Sequence, residues 1–165
     1  MKSGSEAKYS TLTMEEVYSL PISQIADKDS VLFLWATVPL LPEAFSVLKK
    51  WDFKYKTTIF WRKIMSLGMG YWFRGQVEVL LLGVKGKVKA FRCQKPNFIQ
   101  CKVLEHSHKP EEFRQLIMEA TNKITRPKRI ELFATQKIKG WDSIGYEIDG
   151  RDIRDVLQEM IKGNR

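Results

Sequence analysis

The residues best suited to chemistry fall in three short stretches. Glu105-His106-Ser107-His108-Lys109-Pro110 closes an apolar run and opens a helical one. Polar groups at such a junction meet the unpaired N–H groups and positive potential of a helix start, which suit an anionic ligand. Lys109 adds a full positive charge there. Ordinary capping beside exposed histidines would use the same residue types. Tyr71-Trp72-Phe73-Arg74 lies in the glycine-rich stretch 64–76. Its rings could stack a base while Arg74 holds a phosphate, or they could pack beneath the loop for their large apolar area. Cys93, Cys101, His106 and His108 match no paired-ligand spacing, so no metal site is expected. Gly68, Gly70 and Gly75 lack dinucleotide-fingerprint spacing, and no Gly-Lys-Ser/Thr phosphate loop occurs. No nucleophile has an evident base partner, so no catalytic residue is assigned.

The elements that must position these residues read as alternating strands and helices. Thr13-Met14-Glu15-Glu16 has capping-box spacing for a short helix ended by Pro21. VLFLWAT at 31–37 is a continuous apolar run of strand length, of the kind buried on both faces in a parallel sheet. Ala44, Phe45, Val47, Leu48 and Trp51 form a helical stripe, and 55–62 is β-branched and aromatic. Strand, helix and strand make a right-handed crossover. Strands follow at 77–84, 98–104 and 129–135, with an extended piece at 143–148. Ser107 or His108 is the expected cap of a helix buried through Phe113, Leu116, Ile117 and Ala120. A last helix spans 152–161. The pattern predicts a three-layer α/β fold whose ligands sit outside the carboxyl ends of the strands. One domain over 1–165 is expected, behind a flexible lead-in at 1–10.

Composition narrows the partner. The chain has 165 residues with 44% apolar content, enough for a core and too much for wholesale disorder. Two cysteines exclude a disulfide scaffold. The run at 31–41 is too short to span a membrane and contains Pro39, and no secretory signal opens the chain, so a cytoplasmic protein is expected. Net charge is +9, concentrated in two blocks. The first, 83–102, holds Lys85, Lys87, Lys89, Arg92, Lys95 and Lys102 with no acid. The second, 123–139, holds six cations against Glu131. Phosphate backbones are the commonest partners of such stripes, although a solvated face that aids solubility has the same composition.

Seven segments occur in one order: YSTLTMEEVYSLPI, VLFLWAT, WDFKYKTTIFWRK, GMGYWFRGQVEVLLLGVKG, HSHKPEEF, RIELFA and GWDSIGYEI. Together, over about residues 8–150, they resemble the adenine-specific nucleic-acid methyltransferases. That family includes the eukaryotic messenger-RNA adenine methylase and its bacterial and phage relatives. The resemblance implies a Rossmann-like fold, S-adenosylmethionine as methyl donor and the exocyclic N6 amine of adenine as acceptor, in DNA before RNA. It implies that Lys109, with His108 beside it, contacts the methionine portion of the donor. Thr135 stands where the family usually has a ribose-binding Arg, and Gly145-Tyr146-Glu147 stands for a Gly-Asn-Glu/Gln that touches the donor adenosine. Trp72, Arg74 and Glu78 fall where the family lines its acceptor groove. Lys85, Lys87, Lys89 and Arg92 extend that set as nucleic-acid contacts.

The family signature Asp-Pro-Pro-Trp does not occur in these 165 residues. In the family it orients the target amine and stacks on the flipped base. The expectation is therefore a truncated family member that lacks its first motif-bearing strand. The alternative is a non-catalytic nucleic-acid-binding subunit, paired with itself or with another methyltransferase chain.

Overall fold

A computed structural model describes residues 11–65, 68–104, 108–124 and 126–163; the lead-in read at 1–10 lies outside them, as do Glu105, His106 and Ser107. The chain divides into two compact units, Lys28–Pro127 and Met1–Asp27 with Lys128–Arg165.

The unit Lys28–Pro127 is built on β1 (Ser30–Thr37), α3 (Leu41–Lys50), β2 (Lys54–Ile64), β3 (Val77–Lys85), β4 (Phe98–Lys102) and α4 (Glu111–Ala120). The two helices numbered before α3 belong to the other unit. The sheet order is β1-β3-β2-β4. β1 and β2 run the same way, as a crossover through α3 requires, but β3 lies between them and is antiparallel to both. Within this sheet β2 and β4 pair in parallel. The all-parallel reading of the apolar runs is thus corrected. β3 is buried on both faces because it is central, not because its neighbours are parallel.

Register assigns the faces. Phe33, Trp35, Ile59, Trp61 and Leu80 share one face and pack against Phe113, Leu116 and Ile117 of α4, the helical stripe expected from sequence. On the other face a Cβ at Gly83 would meet Leu48 of α3 at 2.9 Å and Phe53 at 3.0 Å, so glycine lets α3 lie close. Helix, sheet and helix form the three layers. The expected cap of α4 is corrected: Pro110 is the cap residue, with no side-chain bond, and His108 lies outside the helix.

The other unit holds α1 (Met14–Ser19), α2 (Ile22–Ile25), β5 (Ile130–Leu132), β6 (Asp142–Ile144), α5 (Tyr146–Asp149) and α6 (Ile153–Gly163). The capping box of α1 forms as expected: the Glu16 N–H donates to Thr13 Oγ1 at 3.2 Å and the Thr13 N–H to Glu16 Oε2 at 2.7 Å. β5 and β6 pair in parallel. The extended reading of 143–148 holds only to Ile144, because Gly145 opens a helical turn.

Asp152 caps α6. Its Oδ1 accepts from the Arg154 N–H at 2.8 Å and from Arg154 Nε at 2.9 Å, while Oδ2 accepts from Nη2 at 2.6 Å. Arg154 Nη1 also reaches Glu16 Oε1 at 2.8 Å. These bonds hold the Asp152 carboxyl down at about 2. Asp152→Ala should therefore cost about 1 kcal/mol near neutral pH, as loss of a helix cap does. The depressed value means this contribution is complete above the ordinary 3.8 and fades as pH falls towards about 2. Thermal melts of both proteins at neutral and strongly acid pH check it; a gap that persists in acid contradicts the assignment.

Candidate active site

Glu78 is the second residue of the apolar run VEVLLLGV, and its position in the register explains its burial. It faces Thr37 at the carboxyl end of β1 and Trp61 near the carboxyl end of β2. β4, parallel to β2, ends at the same side of the sheet. Three strand ends therefore converge on one carboxylate that is only 5% exposed. Such strand ends are where open α/β sheets hold ligands.

Both oxygens of the Glu78 carboxylate hold a lysine. Oε2 is 2.8 Å from Lys63 Nζ and Oε1 pairs with Lys109 Nζ. Burial pushes its pKa up, but the hydrogen bonds and charges of Lys109 and Lys63 outweigh this and hold it below the usual glutamate value. Both lysines also lie over aromatic faces. Lys63 Nζ is 5.1 Å from the Trp61 ring centre. Lys109 Nζ is 4.9 Å from Trp35 and 6.0 Å from Trp61. The rings cannot drift: Trp35 meets Trp61 at 6.0 Å and Phe113 at 4.7 Å, and Trp61 Nε1 donates to the Cys101 carbonyl at 3.2 Å. The fully buried Pro110 and Phe113 pin the chain just after Lys109. The result is a cation held at the sheet's ligand end, on a fixed aromatic floor.

This modifies the reading of the helix start. Glu111 and Glu112 occupy the first turn of α4, and they offset the positive potential there. Lys109, rather than the helix end, carries the positive charge at this junction, and His108 lies next to it, half-buried.

The other sequence-predicted residues divide by location. Trp72 and Arg74 lie in the loop 68–76 that joins β2 to β3, at the same end of the sheet as Glu78, and the loop is tied there by the Lys63 N–H donating to the Gln76 carbonyl at 2.8 Å. Lys85 ends β3 opposite Ser30, about 23 Å along the strand from Glu78 at the usual rise. The Lys87 N–H is bonded to Asp29 Oδ1 at 2.6 Å, at that same far end. Lys89 and Arg92 follow in the segment 86–97, where Phe91 stacks on Phe33 with ring centres 6.4 Å apart. The structure therefore groups Trp72 and Arg74 with Lys109, and places Lys85 and Lys87 at the opposite end.

Thr135, Gly145, Tyr146 and Glu147 lie in the other unit and are close to one another. The Ala134 N–H donates to the Ile144 carbonyl at 2.9 Å, and a Cβ on Gly145 would strike the Ala134 backbone. Tyr146 is half-exposed and Glu147 exposed. Phe133 adopts a positive φ of 57° and exposes half its surface beside this group.

Sequence reasoning passed over Lys63, Trp35 and Trp61. A usable signal was present: Trp61 and Lys63 are two apart on a strand, so they share a face. A lone acid opening an apolar strand also requires a partner.

Residues 1–147 match MT-A70. The chain belongs to the MT-A70 family. The family expected from the seven motifs, the adenine methyltransferases of nucleic acid, is the one found, and the mixed α/β sheet agrees with its Rossmann-like fold. The chain is similar to the Type II methyltransferase M.MunI of a Mycoplasma species, with 31% identity over 99% of this chain and 70% of the relative. It is also similar to an MT-A70-like N(6)-adenosine-methyltransferase of Medicago truncatula, with 29% identity over 88% of this chain and 24% of that protein. Among the described residues of this MT-A70 chain, no helix is long and apolar enough to cross a membrane.

Proposed function

We propose that this MT-A70 chain binds S-adenosylmethionine and serves methyl transfer to the exocyclic N6 amine of adenine in nucleic acid, in DNA before RNA. The observation that carries this reading is Lys109, fixed by Glu78 over Trp35 at the ligand end of the sheet. The residues fit the donor. Its methionine carboxylate suits the Lys109 ammonium, and its sulfonium suits an aromatic surface. When bound, the donor supplies a methyl group on positively charged sulfur. Lys109 and His108 anchor the methionine end. Thr135, Gly145, Tyr146 and Glu147 are proposed, as a separate set, for the adenosine end. Each Glu78 oxygen holds a lysine, which suits the carboxylate to orienting Lys109. Its role is to position Lys109. Acceptor contacts are assigned to Trp72 and Arg74, and more distant phosphate contacts to Lys85, Lys87, Lys89 and Arg92.

Calorimetry with S-adenosylmethionine tests this. Lys109→Ala should weaken donor binding about ten-fold or more, as expected for losing a hydrogen bond to a charged group, and should leave the protein folded. No heat from the folded parent at millimolar donor overturns the reading, and a loss confined to oligonucleotide binding overturns the role of Lys109. DNA and RNA oligonucleotides of one sequence, titrated in parallel, decide between the acceptors.

A second reading, a non-catalytic nucleic-acid-binding subunit, is favoured by Thr135 and Tyr146 in place of the family's Arg and amide. It predicts salt-dependent oligonucleotide binding without donor binding.

A further inference from the structure

The loop 68–76 has a surface that the donor site does not use. Met69, Tyr71, Trp72 and Phe73 are almost wholly in solvent, with the three consecutive rings at 106%, 93% and 90% exposure. Four large apolar side chains in one short loop exceed the scattered exposure that needs no explanation, and contiguous exposure of this kind marks an interaction surface. The loop backbone is nevertheless folded tightly. The Gly75 N–H donates to the Met69 carbonyl at 3.1 Å. Added Cβ atoms on Gly68 and Gly70 would strike the Gly75 and Phe73 carbonyls. The rings therefore project from a closed turn whose two ends enter β2 and β3.

Charge selects the occupant. Lys63 is paired with Glu78 and Lys54 begins β2 at the far end of the sheet, so the cations nearest the rings are Arg74 and Arg62, the latter bonded to Gln100 Oε1 at 2.9 Å. Arg62, exposed, and Arg74 flank the rings in sequence, while Lys63 and the loop sit at the ligand end of the sheet. Aromatic faces beside Arg62 and Arg74 suit a polyanion that offers flat apolar faces. Unpaired nucleobases meet that description, whereas bases inside a duplex have both faces covered by their neighbours.

We infer that the loop 68–76 is a stacking platform for the unpaired bases next to the target adenine, and that the protein selects single-stranded over duplex nucleic acid through Tyr71, Trp72 and Phe73. Arg74 and Arg62 hold the intervening phosphates. This rests on the acceptor side of the proposed function. It adds a preference for strandedness and a contact to bases that are not methylated.

The test is fluorescence anisotropy with a labelled single-stranded oligodeoxynucleotide containing adenines and the same sequence in a duplex. The parent should bind the single strand at least about ten-fold more tightly, and each of Trp72→Ala and Phe73→Ala should cost about ten-fold on the single strand, the scale of one lost stacked base. On the duplex Phe73→Ala, which lies outside the proposed acceptor contacts, should match the parent. The rings are almost wholly exposed, so the variants should melt like the parent. Equal affinity for the two probes overturns the inference, as does a Tyr71→Ala/Trp72→Ala/Phe73→Ala variant that binds like the parent. Sedimentation of the parent and that triple variant addresses a second copy of the chain: a parent dimer that the variant loses would assign the rings to self-association and also overturn it. Donor calorimetry on the same variants separates the two levels. Intact donor binding with no strand preference sinks only the loop inference, and absent donor binding sinks only the proposed function.

Discussion

Glu78→Gln should destabilise the protein by about 2 kcal/mol near neutral pH. It should also weaken donor binding as strongly as the loss of Lys109 does. Removing one side of a buried ion pair costs about 3–5 kcal/mol when full burial leaves the other charge uncompensated. The partners here, Lys63 and Lys109, keep 24% and 33% of their side-chain surface, so solvent relieves part of that cost. Glutamine keeps the shape and one acceptor but leaves two ammonium groups facing each other over Trp61. The sign of the pH dependence follows from the depressed Glu78 value. Its contribution is complete above the ordinary 4.5 and is lost as pH falls below it. Urea unfolding of parent and variant should therefore show a gap at neutral pH that narrows as pH falls below 4.5, and a constant gap would contradict the ion-pair account. A second substitution, Lys63→Met, should recover stability in the Glu78→Gln background while destabilising the parent. Such a sign reversal is diagnostic of direct coupling.

The same residue marks where the sequence could be read and where it could not. Local signals survived folding: the Thr13–Glu16 capping box, the stripe Phe113-Leu116-Ile117 and the run 77–84 all formed as their spacing predicts. Each is decided by residues within a few positions of one another. Strand direction is decided elsewhere. VEVLLLGV has the same apolar run whether its neighbours are parallel or antiparallel, and the short return from β2 through 68–76 selects antiparallel pairing. The start of α4 moved for a similar reason. Ser107 is a good cap in isolation, but burial of Pro110 and the packing of Phe113 on Trp35 set where the helix begins. At the candidate site Lys109 was legible from the charge it adds to a strand-to-helix junction. Lys63 was not, because its partner Glu78 is fifteen residues away and meets it only across the β2–β3 pairing. The basic segment 83–102 reads as one patch in sequence. The structure instead sends Lys85 and Lys87 to the far end of β3, so linear charge clustering did not measure distance to the site.

Gly145→Ala should be the most damaging single-methyl change in the unit that holds β5 and β6, costing about 3 kcal/mol, the upper end of ordinary overpacking. Backbone conformation is not the reason: Gly145 has φ of 177°, which any residue adopts. The obstacle is Ala134. An added Cβ would lie 2.7 Å from the Ala134 N and closer still to its carbonyl oxygen. Neither atom can swing aside as a side chain would. Ala134 is itself buried, and its N–H is committed to Ile144 immediately before Gly145. Relief therefore requires that bond to open just beyond the β5–β6 pairing. Opening it would displace Thr135 on one strand end and Tyr146 and Glu147 on the other, so donor affinity should fall with stability. Tyr146→Ala supplies the contrast, because its ring is half-exposed. It should lower donor affinity with a much smaller loss of thermal stability. Melting curves and donor titrations on the two variants separate the cases. A Gly145→Ala protein that melts like the parent would mean that Ala134 does not pack as described, and a Tyr146→Ala protein with parental donor affinity would remove the ring from the proposed adenosine contacts.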